Sequence, residues 1–299
     1  MGKRMGGVWP LLGTYALWGV SPIFYHALAD VPAAEVLAHR TIWSLVLFGA
    51  VLAAQGRLAT LPRALASRHL GRIVLAALMI SLNWGVFIWS VQNDHVMESS
   101  LGYYIFPLTA VVLGIVVFKE RLHPEQRLAV ILAALAVGLL TWGLGAAPWI
   151  SLILAASMGV YGVVKKALPL DPVLSVTAEV AVLSPLALGW LVALHAGWLP
   201  PAAGLGRVGE GMGVTTLLVL SGPMTAVPLM LFALGAQRAN LATVGLIGYV
   251  NPTLQLVCAV ALFGEPFTIW HGMAFAMIWT ALALYSAATW RQQAARADA

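Results

Sequence analysis

The sequence predicts an all-α integral membrane protein of ten transmembrane helices, built as two inverted five-helix repeats. Of its 299 residues, 61% are hydrophobic and only 9% are charged, whereas soluble domains carry about 25% charged residues. Apolar runs of roughly 20 residues recur along the chain, which is the length that a helix needs to cross a bilayer. A motif that recurs about half a chain apart indicates the duplication.

Ten apolar segments are predicted to span the membrane, and short polar connectors separate most of them. The alternating pattern of barrel strands is absent, which favours helices. The first segment lacks the cleavage pattern of a signal peptide, so we expect a retained helix. The predicted spans are 7–29, 34–54, 70–91, 97–118, 126–143, 148–166, 173–194, 212–235, 241–263 and 268–290.

Lysine and arginine residues set the predicted orientation. With the N-terminus inside, fourteen of the sixteen lie in inside segments, Arg207 lies in an outside loop and Arg40 lies within a span. Because basic residues concentrate on the cytoplasmic side, both termini are predicted to be cytoplasmic. The net charge of +5 is therefore a topology signal, and nucleic acid is not expected as a partner. Cys258 is the single cysteine, which excludes an intrachain disulfide.

The duplicated motif has a tyrosine, a proline, a phenylalanine and a glutamate at fixed offsets. Its two copies are Tyr104, Pro107, Phe118, Glu120 and Tyr249, Pro252, Phe263, Glu265. They lie 145 residues apart, so we divide the chain into repeats 1–145 and 146–299. Each repeat holds five spans, an odd number, so the second must cross in the opposite sense. Weaker matches pair Trp18-Gly19-Val20 with Met158-Gly159-Val160 and Pro32 with Pro172.

Two groups of ionisable residues fall inside predicted spans, where charge is costly and often marks a pathway. His39 and Arg40 follow Glu35 on the second span. We expect Arg40 or His39 either to contact substrate or gate the outer side, or to form a local cluster in which Arg40 pairs locally or stacks on Trp43. Glu179 on the seventh span either carries a coupling proton or makes a structural hydrogen bond to a neighbouring helix.

Prolines within spans and carboxylates at helix ends indicate where a substrate site and helix contacts are expected. Pro107 and Pro252 are predicted to interrupt the fourth and ninth spans, and such paired breaks point to a transporter site. Glu120 and Glu265 end these spans, where the helix dipole disfavours a carboxylate, so each needs a partner such as the N-terminus of a following helix. The residues predicted to bind an amphipathic substrate, against the alternative of plain packing, are Trp18, Asn83, Trp84, Tyr103, Tyr104, Tyr161, Thr225, Tyr249 and Asn251.

These patterns resemble a known family, the ten-helix drug/metabolite transporters with EamA domains, and within it the RarD branch. The resemblance covers nearly the whole chain and includes Trp18-Gly19, Glu35…His39-Arg40…Trp43-Ser44, Asn83-Trp84, Ser99 to Pro107, Glu120-Arg121, Tyr161-Gly162, Thr225…Pro228, Gly245…Tyr249…Pro252 and Gly264-Glu265. It implies export of small metabolites or drugs, and the branch name is associated with chloramphenicol sensitivity. The sequence departs from the family at Phe106, where an asparagine like Asn251 is expected, and at Lys165-Lys166, where an Arg-Lys pair is expected.

Together these observations predict a bacterial inner-membrane permease that exports small amphipathic solutes by alternating access. Its partners are the solute and the lipid bilayer, and the sequence leaves the oligomeric state open. No catalytic residues, metal ligands or cofactor are predicted, and Gly204 to Gly209 lack the strand that a dinucleotide motif requires. An intramembrane enzyme using Glu35, His39 and Glu179, or a membrane scaffold without transport activity, are the alternatives.

Overall fold

The computed structural model describes residues 2–119, 124–145, 147–200, 203–236 and 247–297, and within these ranges it is helical with no strand. Seven helical stretches in these ranges are long and apolar enough to cross a membrane, and one of them, Met212–Phe232, contains a turn. The prediction of an all-α membrane protein is therefore confirmed, while the count of ten spans stays a prediction. The helices are α1 Gly2–His26, α2 Ala33–Ala54, α3 Thr60–Leu65, α4 Leu70–Gln92, α5 Val96–Phe118, α6 Pro124–Leu144, α7 Trp149–Lys166, α8 Pro172–His195, α9 Met212–Leu220, α10 Pro223–Ala236, α11 Val250–Val257 and α12 Ile269–Ala297.

The eighth predicted span differs from the expectation because it consists of two helices. The chain turns at Ser221 and Gly222 between α9 and α10. A Cβ atom on Gly222 would lie 2.5 Å from Trp43 Cβ, so only glycine permits this approach of the turn to α2. Pro223 then begins α10 at a position where its missing N–H is not needed.

The two matched prolines have different roles in the structure. Helix α5 continues through Pro107, so the expected interruption of the fourth span is wrong. Pro252 lies in the first turn of α11, where a helix has no internal use for the absent N–H. Helix α11 then ends in a π-helical turn, Cys258–Leu262, and the first part of the ninth predicted span lies outside the described residues.

The most extensive helix contacts join the first half of the chain to the second. Helix α2 packs against α8, α1 against α10 and α11, and α6 against α12. Helix α7 packs against both α4 and α5. Side chains from both halves therefore meet along these contacts, and the polar clusters described below lie at or beside them.

Candidate functional site

Arg40 lies on α2 inside a cage of aromatic side chains, and only 5% of its surface is exposed. Its Nη1 donates to the Tyr25 hydroxyl at 2.6 Å, and its guanidinium lies 4.0 Å from the ring centroid of Trp84. Of the two local contacts expected for Arg40, the stacking on Trp43 is wrong, because the stacked ring belongs to Trp84 on α4. Arg40 Nε has no hydrogen-bond partner among the described residues. We call Arg40, Tyr25, Trp84, Phe87 and Tyr103 the arginine cage.

The rest of the cage is held by ring contacts and by Asn83. Phe87 makes edge-to-face contacts with Tyr25 and Tyr103, each at 5.9 Å between centroids. The Tyr103 hydroxyl donates to Asn83 Oδ1 at 3.0 Å. Asn83 Nδ2 in turn donates to Leu154 O and Ser157 Oγ on α7, both at 3.0 Å. Asn83 therefore ties α4 to α5 and α7, and both of its polar atoms are occupied.

Glu179 lies on α8 in a second polar cluster, which consists of Tyr161, Lys165, Ser175 and Glu179. Lys165 Nζ lies 2.6 Å from Glu179 Oε1, and Ser175 Oγ donates to the same oxygen at 3.0 Å. The Tyr161 hydroxyl donates to Oε2 at 3.0 Å. Only 1% of Glu179 is exposed, so this Glu179 cluster is a neutralised buried ion pair. The bonds to Tyr161 and Lys165 on α7 agree with the structural alternative and leave proton coupling untested.

Glu35, four residues before His39 on α2, holds a distant loop. Its buried carboxylate accepts from the backbone N–H of Arg207 at 2.9 and 3.0 Å and of Val208 at 3.2 Å. Nε2 of His39 and Nε2 of His195 lie 3.9 and 3.8 Å from Glu35 Oε1. Glu35 therefore fastens the loop between α8 and α9 to the start of α2. Both oxygens of Glu35 therefore have structural partners, and His39 lies beside its carboxylate.

Glu265 caps a helix from the other half of the chain. Its two oxygens accept from the backbone N–H groups of Val96 at 2.6 Å and Met97 at 2.8 Å, at the start of α5. A helix N-terminus is its partner, but the helix is α5, which precedes Glu265 by 169 residues, and not a following helix as expected. Burial raises the pKa of Glu265, and the two N–H donors oppose that shift. The matched Glu120 lies outside the described residues.

The matched tyrosines of the two repeats meet each other. The rings of Tyr104 and Tyr249 stack with centroids 6.3 Å apart and an interplanar angle of 17°. The Tyr104 and Thr253 hydroxyls lie 2.6 Å apart. Together with Trp279 and Leu282 on α12, these residues line an open groove of about 280 Å³.

The nine residues predicted to bind substrate therefore fall into several places. Asn83, Trp84 and Tyr103 lie around Arg40, whereas Tyr161 joins Glu179 and Tyr104 joins Tyr249. The other three are Trp18, which packs with Tyr15 and Phe232, Thr225, which donates to Ser221 O, and Asn251, which accepts from Gln255. Sequence analysis missed Tyr25 and Lys165. Tyr25 lies in the last turn of α1 without a motif, and Lys165 was counted as a topology signal.

Comparison with known proteins relates this chain to a transporter family and to RarD proteins. A model described as the EamA-like transporter family matches residues 5–142. The chain is 40% identical over 289 residues to an uncharacterized transporter of Pseudomonas aeruginosa, over 94% of this chain and 93% of that protein. It is 41% identical over 273 residues to protein RarD of Streptomyces exfoliatus, over 91% and 85%. A solved crystal structure at 17% identity covers 97% of this chain and 99% of its own with a TM-score of 0.59, which indicates a common fold.

Proposed function

Because the chain belongs to the EamA-like transporter family, with RarD proteins among its relatives, we propose that it exports small amphipathic metabolites or drugs by alternating access. We place it in the bacterial inner membrane with both termini in the cytoplasm, as the distribution of lysine and arginine favours. The family model covers residues 5–142, which nearly coincide with the first predicted repeat. That coincidence supports a five-helix unit that the chain uses twice.

The observation that carries the mechanism is a matched pair of close helix contacts. A Cβ atom on Gly19 of α1 would lie 2.7 Å from Leu254 Cβ on α11, and one on Gly159 of α7 would lie 3.1 Å from Thr109 Cγ2 on α5. In the two repeats Gly19 corresponds to Gly159, and Thr109 corresponds to Leu254 by the 145-residue offset. When each residue is replaced by its counterpart in the other repeat, the contact of Gly19 with Leu254 becomes the contact of Gly159 with Thr109. This supports two equivalent inverted halves.

The stacked pair of Tyr104 and Tyr249 supports the same arrangement, because equivalent residues can touch only where the halves meet near a common axis. Inverted halves around such an axis open a central site alternately to the two sides of the membrane. The half-buried Trp84 and Tyr103 supply rings and polar tips suited to an amphipathic solute.

The test has two stages and uses the purified full chain. A thermal stabilisation screen across amino acids, amines, nucleosides and amphenicol drugs identifies solutes that bind the folded state, because such ligands raise the Tm. Proteoliposomes loaded with a hit then measure exchange of the labelled solute. We expect binding and exchange in the wild type and loss of both in Trp84→Ala. Trp142→Ala is the matched control, because the Trp142 side chain on α6 is 83% exposed.

Other outcomes would replace the proposal. A solute that leaves the vesicles chemically altered would indicate an intramembrane enzyme. A well-folded protein that neither binds nor exchanges any member of the panel would favour a scaffold. Equal loss of exchange in Trp84→Ala and Trp142→Ala would show that the arginine cage is not the substrate site.

A further inference from the structure

Buried charges in the described ranges are almost all paired with groups of opposite polarity. Glu179 has Lys165 at 2.6 Å, Glu35 has the N–H groups of the loop at 207 and 208, and Glu265 has the N–H groups that begin α5. Arg40 differs, because no Asp or Glu oxygen within the described residues lies within 4.0 Å of its guanidinium. It is a buried cation without an anionic partner in that part of the chain.

This arrangement is costly unless something else compensates it. A guanidinium holds its proton more firmly than any other side chain, so Arg40 keeps its charge and with it the cost of burial. The Trp84 face and the Tyr25 hydroxyl compensate part of that cost through cation–π attraction and one hydrogen bond. A guanidinium has five N–H donors, and Tyr25 is the one acceptor that the described residues provide.

We propose that Arg40 binds the carboxylate of the transported solute, and that the solute's aromatic body lies against Trp84 and Tyr103. This inference rests on the proposed transport function and adds the chemical class of its substrate. The planar fork of a guanidinium matches a carboxylate with two parallel hydrogen bonds. Trp84 lies against Arg40, and Tyr103 is joined to Arg40 through ring contacts of Phe87 and Tyr25. Both Trp84 and Tyr103 keep part of their surfaces accessible. The solute is therefore a small aromatic monocarboxylate.

The experiment uses pairs of probes that differ in charge but hardly in shape. These are phenylacetate with phenylacetamide and indole-3-acetate with indole-3-acetamide, each at millimolar concentration with the detergent-purified full chain. We expect at least one carboxylate to raise the Tm by about 3 °C or more and its amide to raise it far less. Titration by tryptophan fluorescence gives the Kd of each probe independently of the Tm.

Three variants assign the effect to Arg40. Arg40→Gln removes the charge and should abolish the preference for the carboxylate. Arg40→Lys keeps the charge without the fork and should weaken carboxylate binding about tenfold, so it keeps the test informative if Arg40→Gln does not fold. Arg207→Gln is the control, because the Arg207 side chain is paired with Glu210 on an exposed loop, and it should bind as the wild type does.

Several results would overturn the assignment. They are equal stabilisation by carboxylate and amide, no response to any carboxylate, or an unchanged preference in Arg40→Gln. Stabilisation by phosphatidylglycerol that is lost in Arg40→Gln, without a carboxylate effect, would assign the arginine to a lipid headgroup instead. Proteoliposomes separate the two proposals. If neutral solutes exchange independently of Arg40, the transport proposal stands and the carboxylate site is ruled out. If a carboxylate binds but no solute exchanges, the carboxylate site stands and the transport proposal is ruled out.

Discussion

Helices α2 and α8 pack against each other and occupy corresponding places in the two proposed repeats, and each carries a buried charge about two turns from its start, a cation on α2 and a carboxylate on α8. Arg40 lies seven residues after Ala33, the first residue of α2, and Glu179 lies seven residues after Pro172, the first residue of α8. In both cases the preceding long helix supplies the partner, which is Tyr25 for Arg40 and Lys165 for Glu179.

The match of Pro32 with Pro172 pairs Glu179 with His39 and not with Arg40, so the two charges lie at nearly the same depth and one residue apart in register. The comparison teaches that one such charge can be neutralised within its own cluster, which we call closed, while the other is not, which we call open. The Glu179 cluster has its own cation and two hydroxyl donors. The arginine cage offers rings and a single hydroxyl to its cation. The fold places a charge about 10 Å into each helix at 1.5 Å per residue, and the identity of one partner side chain decides whether that charge is already neutralised.

The largest expected loss of stability comes from removing Lys165, the cation of the Glu179 cluster. Lys165→Met leaves Glu179 buried without its counter-ion and should cost about 3–5 kcal/mol of unfolding free energy. Denaturation in detergent, followed by tryptophan fluorescence, measures the loss. The double variant Lys165→Met with Glu179→Gln removes both charges and should recover most of it. If the single variant is as stable as the wild type, the ion pair does not neutralise Glu179 as described.

An intermediate effect is expected from removing a tyrosine hydroxyl from each cluster. Tyr25→Phe removes the one acceptor that the described residues offer Arg40 and should lower the unfolding free energy by about 2 kcal/mol. Tyr161→Phe should lower it by about 1 kcal/mol, because Lys165 and Ser175 still contact Glu179. The same denaturation measurement compares them. Equal costs would show that the two clusters are equally satisfied, which would contradict the distinction between open and closed.

The smallest effect should come from an ion pair near the surface. Arg57 contacts Asp171, and the two side chains are 41% and 35% exposed. Arg57→Gln should cost less than about 1 kcal/mol, with the difference reduced further in high salt. Asp171 also caps α8 by accepting from the N–H groups of Val173 and Leu174, and the substitution leaves these bonds in place. A cost comparable with that of Lys165→Met would show that burial is not what separates the pairs.

Much of the helical architecture follows from the sequence, because apolar length alone specifies a membrane helix. The bounds of α2, α4 and α8 differ from the predicted spans by about one residue. Local pattern could not show that the helix runs through Pro107 or that it turns at Gly222. The first depends on whether neighbours support the helix around a proline, and the second depends on the approach of Trp43 from a distant helix.

The candidate site was predictable in its residue types and only partly in its contacts. The sequence identified Arg40 and Glu179 because charged groups inside a membrane are costly. It identified Trp84 as a ring that could line a cavity for an amphipathic solute. Their partners escaped prediction because pairing joins separate helices. The loop that holds Glu35 lies 172 residues away, and Trp84 displaced the nearer Trp43 as the ring beside Arg40. Lys165 met the rule for a topology signal and also serves as a counter-ion.

The cap that Glu265 places on α5 has a consequence for how the protein is made. Val96 leaves the ribosome 169 residues before the carboxylate that will satisfy its N–H group. Throughout that interval the first turn of α5 must hydrogen-bond to water or to some other acceptor. The start of α5 therefore acquires these two contacts only after the chain has been made as far as Glu265. The first turn of α5 and the carboxylate that caps it are therefore made at separate times during synthesis.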